Sequence, residues 1–284
     1  MAEVKITHPE KVLFPRDGFT KADVIGYYRS VADVMLPLLR DHPIAMLRFN
    51  QGIDGERFFH KHAPKHFPDF IDRATIPTSK GDQTYSVINN VDALTYIANH
   101  NAIEIHLLGS RADDLSHPDR LVFDFDPSTE DFSLVKDAAR WCRDLLAEHK
   151  MKSFVMVSGS RGLHIWVPLD RKATGDEVMA FAARVAESLV EAHPDVLTTE
   201  FAKADRGDRI YVDIARNAPA QHAVAPYSLR AKDGAPVAMP IGWDELDDDD
   251  LTPQRYTLRD VPALVAKRKD PWKGIVKGQG LAAL

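Results

Sequence analysis

The segment Leu121-Val-Phe-Asp-Phe-Asp-Pro127 constrains the fold more than any other stretch of the chain. Leu121, Phe123 and Phe125 share one face of an extended strand, and Asp124 and Asp126 share the other. A helix is expected next, from about Asp131 to Lys150, with Val135, Ala138, Trp141, Cys142 and Leu145 on one side. Strands follow at 154–157 and 163–169, joined by a tight turn. A second helix starts after Thr174, which pairs with Glu177 as a capping box, and runs through Val178, Phe181, Val185 and Leu189 to Pro194. A strand at 209–214 completes a βαββαβ order, that of the ferredoxin-like split βαβ motif.

The preceding 110 residues read as a separate αβ lobe. Thr20, with Asp23 three residues on, starts a helix whose Val24, Tyr27, Tyr28, Val31 and Met35 keep helical spacing until Pro37. Strands are expected at 43–50, 57–62, 85–88 and 104–108, and another at 224–229. The expected fold class is therefore α/β (α+β): an N-terminal lobe over 1–110 and a βαββαβ lobe over 111–245. The tail, 246–284, holds Trp272 but little periodic pattern.

The acids carry the clearest chemistry. Cα atoms two residues apart in a strand sit ~7 Å apart, so Asp124 and Asp126 can reach a shared cation. Two like charges in an apolar strand are costly without something positive between them, and oxygen ligands suit Mg²⁺ or Mn²⁺. Asp213 repeats the pattern in Arg209-Ile-Tyr-Val-Asp-Ile-Ala-Arg216. Three carboxylates on neighbouring strands describe a two-metal phosphoryl-transfer site. The plainer alternative is a solvated strand end before Pro127, which would suffice for an isolated Asp-x-Asp.

Ser158-Gly-Ser-Arg-Gly-Leu-His164 joins two apolar strands. Gly159 and Gly162 allow positive φ and close backbone approach, so the turn's amides can face an anion. Ser158, Ser160, Arg161 and His164 add donors. An ordinary hairpin would also use Gly and Ser; the position between the Asp-x-Asp strand and Asp213 favours a triphosphate cradle. It is not a Walker loop, because GxxxxGK[ST] is absent. Arg216 and Arg230 are further phosphate candidates, whereas Arg206 and Arg209 have Asp205 and Asp208 beside them as surface partners.

Val122–Asp126, the Ser-x-x-x-x-x-His turn and Val212-Asp213 together resemble the catalytic signature of the archaeo-eukaryotic primase superfamily. Further segments are similar to the polymerase domain of bacterial DNA ligase D: His8-Pro-Glu-Lys-Val-Leu-Phe-Pro15, Thr20-Lys21, Arg57-Phe-Phe-His-Lys-His62, Glu104-Ile-His-Leu107, Phe123–Pro127 and Pro226-Tyr-Ser-Leu-Arg230. The resemblance runs from about residue 5 to 275. It implies a primase-polymerase fold of two packed αβ lobes, one RRM-like, with a catalytic cleft between them. It implies that Asp124, Asp126 and Asp213 hold two divalent metal ions, Mn²⁺ or Mg²⁺. Ser158, Ser160, Arg161, His164, Arg216 and Arg230 would bind the nucleotide, with His106 near it. Lys11, Lys21, Arg48, Phe58, Phe59 and Arg206 would contact DNA, the two lysines at a downstream 5′-phosphate and the phenylalanines at the template. The implied activity is addition of NTPs, ribonucleotides preferred, to a primer 3′-hydroxyl at gaps and break ends in bacterial end joining, with Ku and a ligase domain as partners. Without the resemblance, Lys11, Lys21 and the Phe pair would read as a solvated lysine, a first-turn lysine and core.

The chain departs from this pattern in two ways. One cysteine cannot supply the zinc element of many primases, and Lys232-Asp-Gly234 lacks the spacing of a ligase Lys-x-Asp-Gly motif. The chain is therefore expected to be either an excised domain or a stand-alone homologue. Competing readings are a metal-dependent nuclease using the same acids and a non-catalytic module that binds DNA ends. A zinc site from His60, His62 and His66 is a remoter option, and Cys142 reads as core.

Taken whole, the charge opposes a nucleic-acid partner: 36 Lys+Arg stand against 42 Asp+Glu, a net of −6. Yet six of the acids lie within Asp244–Asp250, leaving 36 acids against 36 bases elsewhere, and the residues from Leu251 onward carry seven bases against two acids. A small DNA footprint follows, dependent on a 5′-phosphate or a partner. No apolar run approaches the ~18 residues of a membrane span, and the N-terminus lacks a signal-like apolar region, so a cytoplasmic protein is expected.

Overall fold

The computed structural model describes residues 4–77 and 81–282. The chain divides into two compact units, and neither is continuous in sequence. No helix among the described residues is long and apolar enough to cross a membrane.

The first unit comprises the described residues of Met1–Asp113 together with Val224–Ala238 and Tyr256–Asp270. A short ribbon, β1 (Val12–Phe14) and β2 (Phe19–Thr20), leads into α1 (Lys21–Ser30), where Thr20 and Asp23 form the expected capping box. The expected single helix is two: the chain breaks at Val31 and restarts as α2 (Ala32–Leu39), with Pro37 inside it rather than ending it. Then come β3 (Pro43–Phe49), β4 (Arg57–His60), β5 (Asp72–Ile76), β6 (Gln83–Val87), α3 (Val91–Asn99) and β7 (Ala102–Leu108). The strands lie in the order β7-β3-β6-β5, with β4 paired to the second half of β3. Helix α3 escaped the periodicity argument, because Thr95 and Tyr96 favour strands by propensity. Its start is nevertheless local, since the Asn90 side chain accepts from the Ala93 amide.

The second unit comprises the described residues of Asp114–Ala223, Met239–Arg255 and Pro271–Leu284. Its elements are β8 (Arg120–Asp126), α4 (Phe132–Glu148), β9 (Phe154–Val157), β10 (Leu163–Pro168), α5 (Gly175–Ala192), β11 (Leu197–Thr198), a one-turn α6 (Lys203–Arg206) and β12 (Ile210–Asp213). Within the sheet order β11-β12-β8-β10-β9, the four strands of the βαββαβ run stand as fourth, first, third, second. That order places β8 between β10 and β12, antiparallel to both. Thr174 and Glu177 cap α5 as expected, and Val178, Phe181, Val185 and Leu189 are buried.

From β12 the chain continues through β13 (His222–Val224) into the returning segments. The strand expected at 224–229 ends at Val224; beyond it, Tyr227 has φ +66, a turn conformation incompatible with a continuous strand. The Ser228 Oγ instead accepts from the Ile105 amide, and Tyr27 Oη donates to the Tyr227 carbonyl. The tail adds β14 (Met239–Ile241), antiparallel to β9, and α7 (Val261–Lys267). Trp272 is buried in the second unit, where its indole N–H donates to the Val155 carbonyl. The acidic run is seated against α4: Arg140 bonds Asp247 and the Leu246 carbonyl, and Lys136 reaches the Asp248 carbonyl.

Candidate functional site

The alternation in β8 does what its period requires. Leu121, Phe123 and Phe125 are fully buried, while Asp124 and Asp126 keep 14% and 31% side-chain exposure on the other face. Cross-strand register then builds the site. Asp124 is paired with His164 of β10 on one side and with Asp213 of β12 on the other. Tyr211 is paired with Asp126.

Cations gather on these acids. Arg216 spans two of them, Nε 3.4 Å from Asp124 and Nη2 3.3 Å from Asp213. Arg161 Nη2 lies 2.7 Å from Asp126, and the buried Arg206 lies 3.5 Å from its other oxygen. The Arg206 guanidinium also stacks 4.0 Å over Tyr211 and donates to the carbonyls of Glu200 and Phe201. A cavity of about 210 Å³, lined by Pro127, Ser128, Arg161, Lys203, Arg206 and Gly207, has two of these arginines in its wall.

Burial pushes the Asp213 carboxyl above its ordinary range; the Arg216 charge opposes this and the Asp124 charge reinforces it. Three partly buried carboxylates on adjoining strands are a donor set suited to hard divalent cations. His164 beside them is incompletely satisfied. It is 4% exposed, its Nε2 lies 3.3 Å from Asp124, and its Nδ1 has no hydrogen-bond partner among the described residues. Among the described residues no three Asp, Glu, His or Cys side chains form a ready-made metal cage. The carboxylates stand side by side along a ladder, each in contact with a guanidinium.

The glycine turn differs in detail from the expected amide cradle. The Ser158 hydroxyl accepts from the amides of Ser160 and Gly162, both at 3.2 Å, so these two donors are used within the turn. Gly159 takes φ +64. Gly162 serves close approach instead: a Cβ there would lie 1.8 Å from the Phe125 carbonyl oxygen. The turn is thereby pressed against the Asp-x-Asp strand, and Gln254 ties it further by donating to the Ser160 carbonyl.

The remaining residues lie in the first unit. His106 and Glu104 alternate on β7, and His106 Nε2 is 3.0 Å from Glu104 Oε2. Arg230 Nε is 3.2 Å from the same oxygen. Phe59 is 48% exposed on β4, with its ring edge-to-face with His106 at 5.6 Å; Phe58 is half-buried. Arg48 donates to the His100 carbonyl. Lys11 is bonded to the Asn50 carbonyl, whereas Lys21 is 3% exposed and its ammonium donates to the carbonyls of Thr7 and Asn99, each at 2.8 Å. His60, His62 and His66 pack against aromatic rings of Phe58, Tyr85 and Phe67. Glu104 carries no role in the sequence reading beyond its place in Glu104-Ile-His-Leu107, although the signal that marked Asp213, one acid in an apolar strand, marks it equally.

Residues 20–272 match the family described as the LigD primase-polymerase domain. The chain is 34% identical over 257 residues to the multifunctional non-homologous end joining protein LigD of Mycolicibacterium smegmatis, covering 89% of this chain and 34% of that protein. Against the multifunctional non-homologous end joining DNA repair protein LigD of Mycobacterium tuberculosis the identity is 36% over 262 residues, with the same coverage. The chain thus spans about a third of the length of these relatives. Among solved structures it resembles the polymerase domain from Mycobacterium tuberculosis ligase D in complex with DNA, with a TM-score of 0.92 and 33% identity, covering 97% of this chain and 99% of that one.

Proposed function

Because the chain belongs to the LigD primase-polymerase domain family, we propose that it is a DNA-dependent nucleotidyltransferase acting at gaps and double-strand break ends. The whole chain would act as one primase-polymerase catalytic domain. The observation that carries this reading is the ladder of Asp213, Asp124 and His164, with Asp126 two residues along and arginines on every acid.

Asp124, Asp126 and Asp213 would hold divalent cations, Mn²⁺ or Mg²⁺. When bound, such a pair supplies Lewis-acid stabilisation of the charge that develops as a primer 3′-oxygen displaces pyrophosphate. The chain's own groups do the rest. Arg161, Arg216 and Arg230 offer forked donors to a triphosphate, while Ser158, Ser160 and His164 add hydrogen bonds and His106 flanks the nucleotide. Arg161 and Arg216, each now on an acid of the Asp triad, can exchange that partner for phosphate oxygens of similar geometry. On the DNA, Lys11 and Lys21 would serve a 5′-phosphate, Arg48 and Arg206 the backbone, and Phe58 and Phe59 would stack on bases. Ribonucleotide preference, action in the bacterial cytoplasm, and cooperation with Ku and a ligase domain complete the reading.

The deciding experiment incubates a labelled primer on a 5′-phosphorylated gapped duplex with each NTP or dNTP and Mn²⁺ or Mg²⁺. NTP-dependent lengthening is expected from the wild-type chain and none from Asp124→Ala, with gap binding retained. Shortening of the primer would indicate a nuclease, and normal extension by Asp124→Ala would refute the assignment.

A further inference from the structure

Glu104 is an acid buried in an apolar strand and is 6% exposed. Both of its oxygens are engaged. Oε2 lies 3.0 Å from His106 Nε2 and 3.2 Å from Arg230 Nε, and Oε1 accepts from the Ala231 amide at 3.0 Å. Burial alone would lift its pKa, yet the His106 bond, the Arg230 charge and the Ala231 amide together bring the carboxyl down to about 2. The carboxylate is thus charged at neutral pH; it bonds His106 and the Ala231 amide and pairs with the Arg230 guanidinium, joining stretches of chain more than a hundred residues apart.

A buried ionised group has a large desolvation cost, and a hydrophobic side chain would hold β7 against the Ser228–Arg230 segment without it. The tie from Ser228 Oγ to the Ile105 amide already joins the same two segments. Holding the chain together therefore does not require a charge at Glu104, whereas aiming His106 and Arg230 does. An acceptor on Nε2 sets which imidazole nitrogen carries the proton, and an anion on Arg230 Nε sets the plane of its fork.

We infer that Glu104 is a positioning residue for nucleotide binding, orienting His106 and Arg230 toward the incoming NTP. This rests on the functional reading above, in which His106 and Arg230 contact the nucleotide.

The test is NTP titration of primer extension by the wild type, Glu104→Gln, Glu104→Asp, His106→Ala and the double variant Glu104→Gln/His106→Ala. Glutamine keeps the shape but presents an amide NH₂ where one oxygen accepted. For Glu104→Gln the expected result is an NTP KM raised about tenfold, with kcat within about twofold and gapped-DNA affinity unchanged. The double variant should lose less than the sum of the two single variants, because part of the Glu104 effect runs through His106 and the rest through Arg230. Should Glu104→Gln fail to fold by thermal melt, Glu104→Asp, which retains the charge on a shorter arm, carries the same KM expectation. An unchanged KM in a folded variant, equal losses in KM, kcat and DNA affinity, or fully additive double-variant losses would overturn the positioning role. Failure of the wild type to extend primers at all would overturn the functional reading first, and this role with it.

Discussion

Asp213 stands directly opposite Asp124 in the antiparallel β12–β8 ladder, and the Arg216 guanidinium reaches both carboxylates, at 3.3 and 3.4 Å. Burial and the facing Asp124 charge both disfavour an ionised Asp213, burial more than the charge, and the Arg216 guanidinium opposes them without cancelling their sum. The fold thus holds the Asp213 carboxylate where burial penalises its charge.

A stability gain from removing one charge follows. The Asp213 carboxyl is raised in the folded state, so its ionised form costs stability at every pH above that raised value. Asp213→Asn should therefore raise the melting temperature at pH 7 by about 1–3 °C, while primer extension falls at least about a hundredfold. Thermal melts beside extension assays check both, and a lowered melting temperature would show that the Arg216 ion pair outweighs burial.

Glu104 behaves oppositely. Its carboxyl is depressed from 4.5 to about 2, so its contribution is present above pH 4.5 and is lost as pH falls toward 2. Denaturant unfolding of the wild type and Glu104→Gln should differ by roughly 1–3 kcal/mol at neutral pH. The two curves should converge across that acid window.

The two lysines separate by experiment. Lys21 places its ammonium on the Thr7 and Asn99 carbonyls, and burial lowers its pKa. Lys21→Met leaves those carbonyls without their donor and should cost about 1–3 kcal/mol of stability. Lys11 is less buried, and Lys11→Ala should change stability by less than about 1 kcal/mol. Both variants should lose preference for a 5′-phosphorylated gap, measured by competition against the unphosphorylated duplex.

Gly162→Ala tests the turn. The added Cβ would strike the Phe125 carbonyl, a backbone atom of the Asp-x-Asp strand that cannot swing aside. A loss of more than about 3 kcal/mol is expected, whereas Gly159→Asn, at φ +64, should cost about 1 kcal/mol or less. Chemical denaturation of the two variants gives the comparison.

Much of both units was legible because the signals are local. Thr20 with Asp23 and Thr174 with Glu177 form their capping boxes within four residues, and β8 shows its two faces within six. Pro37 misled because a proline marks a preference and not a stop: the helix break lies six residues earlier, at Val31, and Pro37 sits within α2. Residues 225–229 misled because apolar composition cannot reveal the positive φ at Tyr227.

What the sequence determined by itself was the order of elements and which side chains share a strand face, since both follow from backbone geometry over a few residues. Only the tertiary structure decided that Asp213 faces Asp124, that Arg230 meets Glu104, and that two carbonyls of its own unit anchor the Lys21 ammonium. It also decided that Val224–Ala238 and Tyr256–Asp270 return to the first unit. These are pairings across tens to hundreds of residues. Register and burial select them from many arrangements that local preference leaves equal, because their energy comes from packing partners absent from any local window.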